Sequence, residues 1–317
     1  MNRSGTANRT TGTRTGAGTG TAGTRTNGTR TTSPTTRESY RQGAVSPADP
    51  CDPSGRDRVD WTRLHALETL WDPGSRDILT GLGIRPGWRC LELGAGTGSV
   101  ARWLAHRCQR GNVVATEVDL RFLRGDRVPN LQIVVHDVVN GADFPAESFD
   151  LVHTRAVLAH LPDRDRAVER AARWLAPGGW LVLEEPALYP VDSSPHPDFR
   201  RSLNAYAHIM ATRQGTDLRW SRHLPSVLDQ AGLAEPGLRV TTMVVGEGGP
   251  ADDFWRISLE QAEPAIVHEG LLAPDDLRHA ITLLDDPSFL DLSFALVSSW
   301  ARKPRPGELH RMQGRIG

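Results

Sequence analysis

Lysine is almost missing from this 317-residue chain: Lys303 is the only one, and the remaining basic residues are arginine. A phosphate-binding P-loop needs a lysine directly after its glycines, and a Schiff-base enzyme needs one in a core pocket. Lys303, near the C-terminal end, serves neither purpose. Cysteine is scarce too. Cys51, Cys90 and Cys108 are scattered and make neither a disulfide framework nor a zinc pattern. None of the 11 histidines pairs with another at i, i+4, so no metal set is expected. No apolar run reaches the roughly 18 residues of a membrane helix. No apolar stretch near the start reads as a signal peptide, so a cytoplasmic location is expected.

Acid is lacking at one end only. Residues 1–36 hold five arginines and no Asp or Glu. The chain has 37 basic and 38 acidic residues, which leaves 32 basic and 38 acidic from residue 37 onward, a balance of −6. Such a body offers no electrostatic reason to bind nucleic acid. Residues 1–44 also lack Val, Ile, Leu, Phe and Trp, repeating Thr, Gly and Arg instead. They cannot bury enough apolar area to offset ordering entropy and are predicted to be a disordered tail.

What remains, residues 53–303, has the patterning of one α/β domain. Trp61, Leu64, Leu67, Leu70 and Trp71 recur at helical spacing. Pro73-Gly74 is predicted to break that helix, with Ser75 capping a second one over 76–82. Strands and helices then alternate. Strands are predicted at 89–93, 112–116, 131–135, 149–153 and 180–183, and helices at 99–107 and 163–175. Pro177-Gly178-Gly179 is expected to close the second of these helices. Near-continuous apolar strands separated by helices imply a parallel sheet covered on both faces. Beyond Pro186 the pattern predicts helices at 197–213, 221–232, 251–265 and 274–285, and strands at 238–245 and 292–300.

The strongest local signal is Glu92-Leu93-Gly94-Ala95-Gly96-Thr97-Gly98. Alternate glycines after a buried strand permit a tight turn and close approach of a ligand to the backbone. A dinucleotide fingerprint would put its third glycine at 99, where the chain has Ser99. Glu92 just before the glycines would repel a pyrophosphate and favour a cation. Glu117 ends the second strand, where an acid accepts hydrogen bonds from ribose hydroxyls. The set suits a positively charged nucleoside without phosphate.

With these motifs in order, residues 88–186 resemble class I S-adenosylmethionine-dependent methyltransferases, and Trp61 to Leu93 resembles the N-terminal region of the actinobacterial small-molecule type. The family fold is Rossmann-like: a seven-stranded, mostly parallel sheet with helices on both faces and a helical insertion after the fifth strand. The resemblance implies a cofactor-binding core over 85–186 and substrate-side helices and final strands over 187–303. It makes S-adenosylmethionine the cofactor, held by Glu92, Gly94, Ala95, Gly96, Gly98, Glu117, Val118, Asp137, Val138 and Thr154. By it, Val118 lies beside the adenine and Asp137 meets the adenine amino group.

Methyl transfer from a sulfonium is an in-line displacement, and a base is needed only if the acceptor must lose a proton. Glu185 and His160 are the candidates for that base, both just past strand ends. Strand alternation sends one of Glu184 and Glu185 toward the pocket and the other away. His153 reads as structural. Tyr206, His208, Arg213 and Trp220 fall in the insertion and are candidates for acceptor contacts. Arg164, Arg166, Arg170 and Arg173, set among acids on one helix, read as a solvated face. The expected partner is a small-molecule acceptor. The alternatives are an RNA or protein methyltransferase, or a non-catalytic module that binds the cofactor. Against base- and amide-methylating enzymes, the position after the fourth strand reads His153-Thr154-Arg155-Ala156 in place of their Asn/Asp-Pro-Pro-aromatic motif.

Overall fold

The computed structural model describes residues 56–123 and 128–308. The predicted tail and Cys51 lie outside the described residues. Helix α1 (Arg56–Gly81) leads into β1 (Arg89–Leu93), α2 (Ser99–Arg107), β2 (Asn112–Glu117), β3 (Leu131–Val135) and β4 (Phe149–Arg155). Then come α3 (Arg164–Trp174) and β5 (Leu175–Ala187). The insertion holds α4 (Pro197–Gln214) and α5 (Leu224–Gln230), and the chain finishes with β6 (Ala234–Val245), α6 (Pro250–His268), α7 (Pro274–Thr282) and β7 (Asp291–Arg302).

The seven strands form one sheet in the order β3-β2-β1-β4-β5-β7-β6. All pairings from β3 across to β5 are parallel, while β7 runs antiparallel to both β5 and β6. The chain reverses its direction of travel between β1 and β4, and in such sheets ligands bind beyond the carboxyl ends of the strands at that point. Alternation along the strands feeds two cores. Leu91, Leu93, Val152, Leu181 and Leu183 pack with Val168 and Trp174 of α3. Cys90, Val113, Ala115, Leu151 and Val182 face the other way, onto Val100 and Leu104 of α2 and Ile78 and Leu79 of α1. A third core, rich in aromatics, joins α4, α6 and α7 to β7 through Phe199, Trp255 and Phe294.

Three sequence expectations fail here for physical reasons. First, α1 does not break at Pro73-Gly74. Proline removes one N–H from the helix ladder, and the carbonyl left over belongs to Thr69. Thr69 and Pro73 are both exposed, so that carbonyl is open to solvent. Ser75 is therefore no cap; its buried hydroxyl donates to Glu184 Oε2 at 2.5 Å. Second, Pro177-Gly178-Gly179 lies inside β5 instead of closing α3. Gly178 N–H donates to the Lys303 carbonyl and Lys303 N–H to the Gly179 carbonyl, both at 2.8 Å, so the turn is stitched into the sheet. The lone lysine completes the stitch by donating from Nζ to the Leu175 carbonyl at 2.8 Å. Third, Arg170 is not solvated. It is 4% exposed. Its guanidinium donates to the carbonyls of Val138, Val139 and Gly141 at 2.6 Å each and to Asp143 at 2.9 Å.

Candidate functional site

The loop after β1 takes its shape from glycine. Gly94 and Gly96 have φ of +65° and +58°, in the region that side chains rarely adopt. A Cβ at 94 would overlap Val157 Cγ2 from the segment after β4, so glycine there lets two loops touch. A Cβ at 96 would meet nothing within 4 Å, so that face of the loop is open. Gly96 N–H donates to Glu117 Oε1 at 2.8 Å, and Val118 N–H donates to Oε2 at 3.1 Å. The ends of β1 and β2 are thereby locked in register. Burial raises the Glu117 pKa, against the two backbone N–H groups that lower it. Val118 is 67% exposed, an apolar surface beside the carboxylate.

The end of β3 joins the same rim, because His136 N–H donates to the Glu117 carbonyl at 2.9 Å. Asp137 next to it builds a turn. Its Oδ1 accepts from the N–H groups of Val139 and Asn140 at 2.8 and 3.1 Å, and its Oδ2 accepts from Asn140 Nδ2 at 3.0 Å. The Asn140 amide is the main cause of its lowered pKa. Arg170 grips the carbonyls of the same turn from below. A residue read as part of a solvated face thus holds the loop after β3 in place.

Beneath the glycine loop runs a buried ionic spine. Glu92 and His153 sit at paired positions of β1 and β4. His153 Nδ1 lies 3.6 Å from Glu92 Oε1, and Nε2 lies 3.0 Å from Glu184 Oε2. Burial would lower the imidazole pKa, yet hydrogen bonds and charge from Glu184 and Glu92 carry it to about 9. His153 is therefore an imidazolium. Glu184 also accepts from Ser298 at 2.6 Å. Its pKa is lowered: burial opposes this, and His153, Arg155 and Ser298 prevail. Glu92 is raised, chiefly by burial. Its Oε2 is buried with no hydrogen-bond partner.

Helix α1 latches onto this spine with a polar face. Glu68 accepts from Thr97 Oγ1 in the glycine loop at 2.5 Å. Asp72 accepts from Ser99 Oγ at 2.9 Å and from Arg155 Nη2 at 2.8 Å. Arg155 Nη1 donates to Ser75 Oγ at 2.9 Å. Sequence reasoning missed this set. The available signal was the i, i+4, i+7 spacing of Glu68, Asp72 and Ser75, which puts all three on one face.

A cavity of 580 Å³ lies between α1, α4, α6 and the ends of β4 and β5. Its walls include Trp71, Tyr206, Phe254, Trp255 and Phe294, with Arg63, Arg213 and Gln261 among them. His160 and Ala156 also face it. Ala156 holds φ of +56°, a strained conformation of the kind concentrated at functional sites. His160 Nδ1 shares a hydrogen bond with Thr216 Oγ1 at 2.8 Å. Enclosure by the protein lowers its pKa, and the charges of Arg63 and Arg164 push the same way. The shift favours the neutral ring over the imidazolium.

The other predicted residues divide. Tyr206 and Arg213 reach the cavity, whereas His208 pairs with Glu269 at 3.6 Å and Trp220 is buried in the α3-side core. Glu185 does not reach the cavity and is fully buried. Its Oε1 accepts from the N–H groups of Val157 and Leu158 at 3.2 and 2.9 Å, and its Oε2 from Ala159 at 3.0 Å. Burial pushes its pKa up to about 7 against those N–H groups. Glu185 thus anchors the turn that carries His160. Alternation gave opposite faces to the two glutamates but did not reveal that neither faces the cavity. The side chains of Val138 and Thr154, at 6% and 1% exposure, sit in the interior. The Ala95 side chain is likewise packed inside, and its N–H donates to the Thr116 carbonyl at 2.9 Å.

Comparison with known proteins converges on one chemistry. Residues 91–183 match a family described as a methyltransferase domain. The chain is 31% identical to methyltransferase str2 of Strobilurus tenacellus over 163 residues, which is 50% of this chain and 58% of that protein. It is 31% identical to trans-aconitate 2-methyltransferase of Deinococcus radiodurans over 178 residues, 55% of this chain and 65% of that one. The chain thus spans less than two thirds of the length of these curated relatives. In fold it is similar to Haemonchus contortus phosphoethanolamine N-methyltransferase 2, solved with phosphomonomethylethanolamine and S-adenosylhomocysteine. The TM-score is 0.51 at 18% identity, covering 79% of this chain and 59% of that one.

Proposed function

We propose that this chain, whose residues 91–183 are a class I S-adenosylmethionine-dependent methyltransferase domain, methylates a small molecule seated in the 580 Å³ cavity. The observation that carries the reading is the junction of Gly96 and Glu117. An open, positive-φ glycine is hydrogen-bonded at 2.8 Å to a half-buried carboxylate at the next strand end. That junction, with apolar Val118 beside it, fits a nucleoside. The unpartnered Glu92 Oε2 fits a cation. When bound, S-adenosylmethionine supplies a methyl group already activated on a sulfonium.

The protein's own part is then alignment. Glu117 and the Asp137 turn hold the nucleoside end, and the α1 latch through Glu68 and Asp72 fixes the glycine loop. His160, in the cavity wall, takes the acceptor's proton where the acceptor is a hydroxyl or thiol. Glu185, through Leu158 and Ala159, sets the position of that ring. A relative named for aconitate supports a small, free acceptor. The test is transfer of labelled methyl from S-adenosylmethionine to three pools: small acids, phenols and amines; RNA; and denatured protein. Label in the first pool supports the reading, and label confined to the other two overturns it.

A further inference from the structure

The cavity wall has an uneven chemistry. No Asp or Glu lines it, although two arginines and a histidine do. The whole chain is slightly acidic, so this local excess of cation runs against the average. Arg213 is already neutralised by Glu269 at 3.0 Å. Arg63 is not: among the described residues it has no carboxylate within ion-pair distance, and it lies 5.9 Å over the Phe254 ring. Four polar atoms of the wall residues are buried without a hydrogen-bond partner: Arg63 Nε, Trp71 Nε1, Trp255 Nε1 and Ser258 Oγ. The three nitrogens are N–H donors, and the serine hydroxyl can donate as well as accept. A buried donor left unmade is unfavourable, and a ligand that offers only acceptors removes the deficit. Apart from Gln214, Gln261 and Ser258, the rest of the wall is aromatic or aliphatic.

From this we infer that the acceptor is an apolar carboxylic acid, its carboxylate held by Arg63 and its hydrocarbon or aromatic body lying among Trp71, Phe254 and Trp255. The inference rests on the methyltransferase reading and deepens it. A carboxylate matches the planar guanidinium in two hydrogen bonds and presents acceptors alone. One free cation balances one charge, which favours a monoacid over a phosphate dianion. An amine would meet Arg63 with like charge and find no acid, and a neutral amide would add donors to a wall that already has too many.

Matched probes test it by calorimetry on the full chain saturated with S-adenosylhomocysteine. The probes are cinnamic acid, 2-naphthoic acid and decanoic acid, each against its primary amide and its amine. The expected result is tighter binding of acids than amides by about ten-fold or more, the worth of a charge-assisted buried hydrogen bond. Arg63→Met abolishes that preference, and Arg63→Lys keeps part of it. Amides or amines that bind as well as acids overturn the inference, as does an acid preference that survives Arg63→Met or the failure of every acid to bind. S-adenosylhomocysteine binding is measured first. Its loss in Arg63→Met alone would mark a folding defect, and Arg63→Lys then decides: unchanged acid affinity with an amide equal to it overturns the inference. Its absence in the unaltered protein counts against the methyltransferase reading itself.

Discussion

His153 Nε2 lies 3.0 Å from Glu184 Oε2, and neither side chain reaches solvent. With Glu92 on the other ring nitrogen, the imidazolium bridges β1, β4 and β5 under the glycine loop. Removing one partner leaves an unpaired buried charge. His153→Ala is expected to cost about 3–5 kcal/mol in denaturant unfolding. The histidine's folded pKa is raised to about 9 from an ordinary 6.5. Its contribution to stability is therefore complete below pH 6.5 and is lost as pH rises through about 9. A stability profile flat across that window in the unaltered protein would contradict the charged assignment.

Glu185 predicts a slope of the same sign at lower pH. Its folded pKa of about 7 exceeds the ordinary 4.5, so the folded chain holds this proton more tightly than the unfolded one. Stability should fall as pH rises from 4.5 to 7, and Glu185→Gln should flatten that slope. Denaturation midpoints across the range check both. An activity loss in Glu185→Gln without a stability change would mean a direct chemical role that the burial of this carboxylate does not support.

Arg170 ties three carbonyls of the loop after β3. Arg170→Met is expected to cost about 2–3 kcal/mol and to weaken S-adenosylhomocysteine binding through the Asp137 turn. Arg170→Lys should recover little, since one ammonium cannot reach carbonyls that a planar fork spans. Full cofactor affinity in Arg170→Met would separate the turn from the site.

His160 is expected to act on turnover and not on cofactor binding. His160→Ala should lower kcat by about 10²- to 10⁴-fold for a hydroxyl acceptor, with S-adenosylhomocysteine affinity unchanged. A base must be neutral, so kcat/KM should fall at acid pH, through a pKa below the ordinary 6.5. That limb should vanish in the variant. Full activity in His160→Ala would leave positioning as the protein's whole contribution.

How much of this was legible in the sequence depended on the range of the interaction. Strand β1 and helix α2 fell on their predicted bounds, because apolar runs and glycine punctuation are local signals. Strand β5 was predicted as 180–183 and extends over Leu175–Ala187, since its extra length comes from pairing with β7 more than a hundred residues later. The glycine loop and Glu117 were legible for the same local reason. Ser75, Asp72 and Arg170 were not. Each is a polar residue whose burial depends on a partner distant in the chain, and helical spacing alone reads such residues as solvated or as caps. Glu185 shows the limit of strand alternation, which separates two faces without saying what covers them.

The central claim is that the Gly96–Glu117 junction is a cofactor site. Isothermal titration of S-adenosylhomocysteine tests it most directly. The account predicts saturable binding to the unaltered chain. Glu117→Ala should lose it by removing the carboxylate, and Gly96→Val should lose it because a β-branched residue is strained at a φ of +58°. No measurable binding to the unaltered chain, or undiminished binding in both variants while they remain folded, would contradict it.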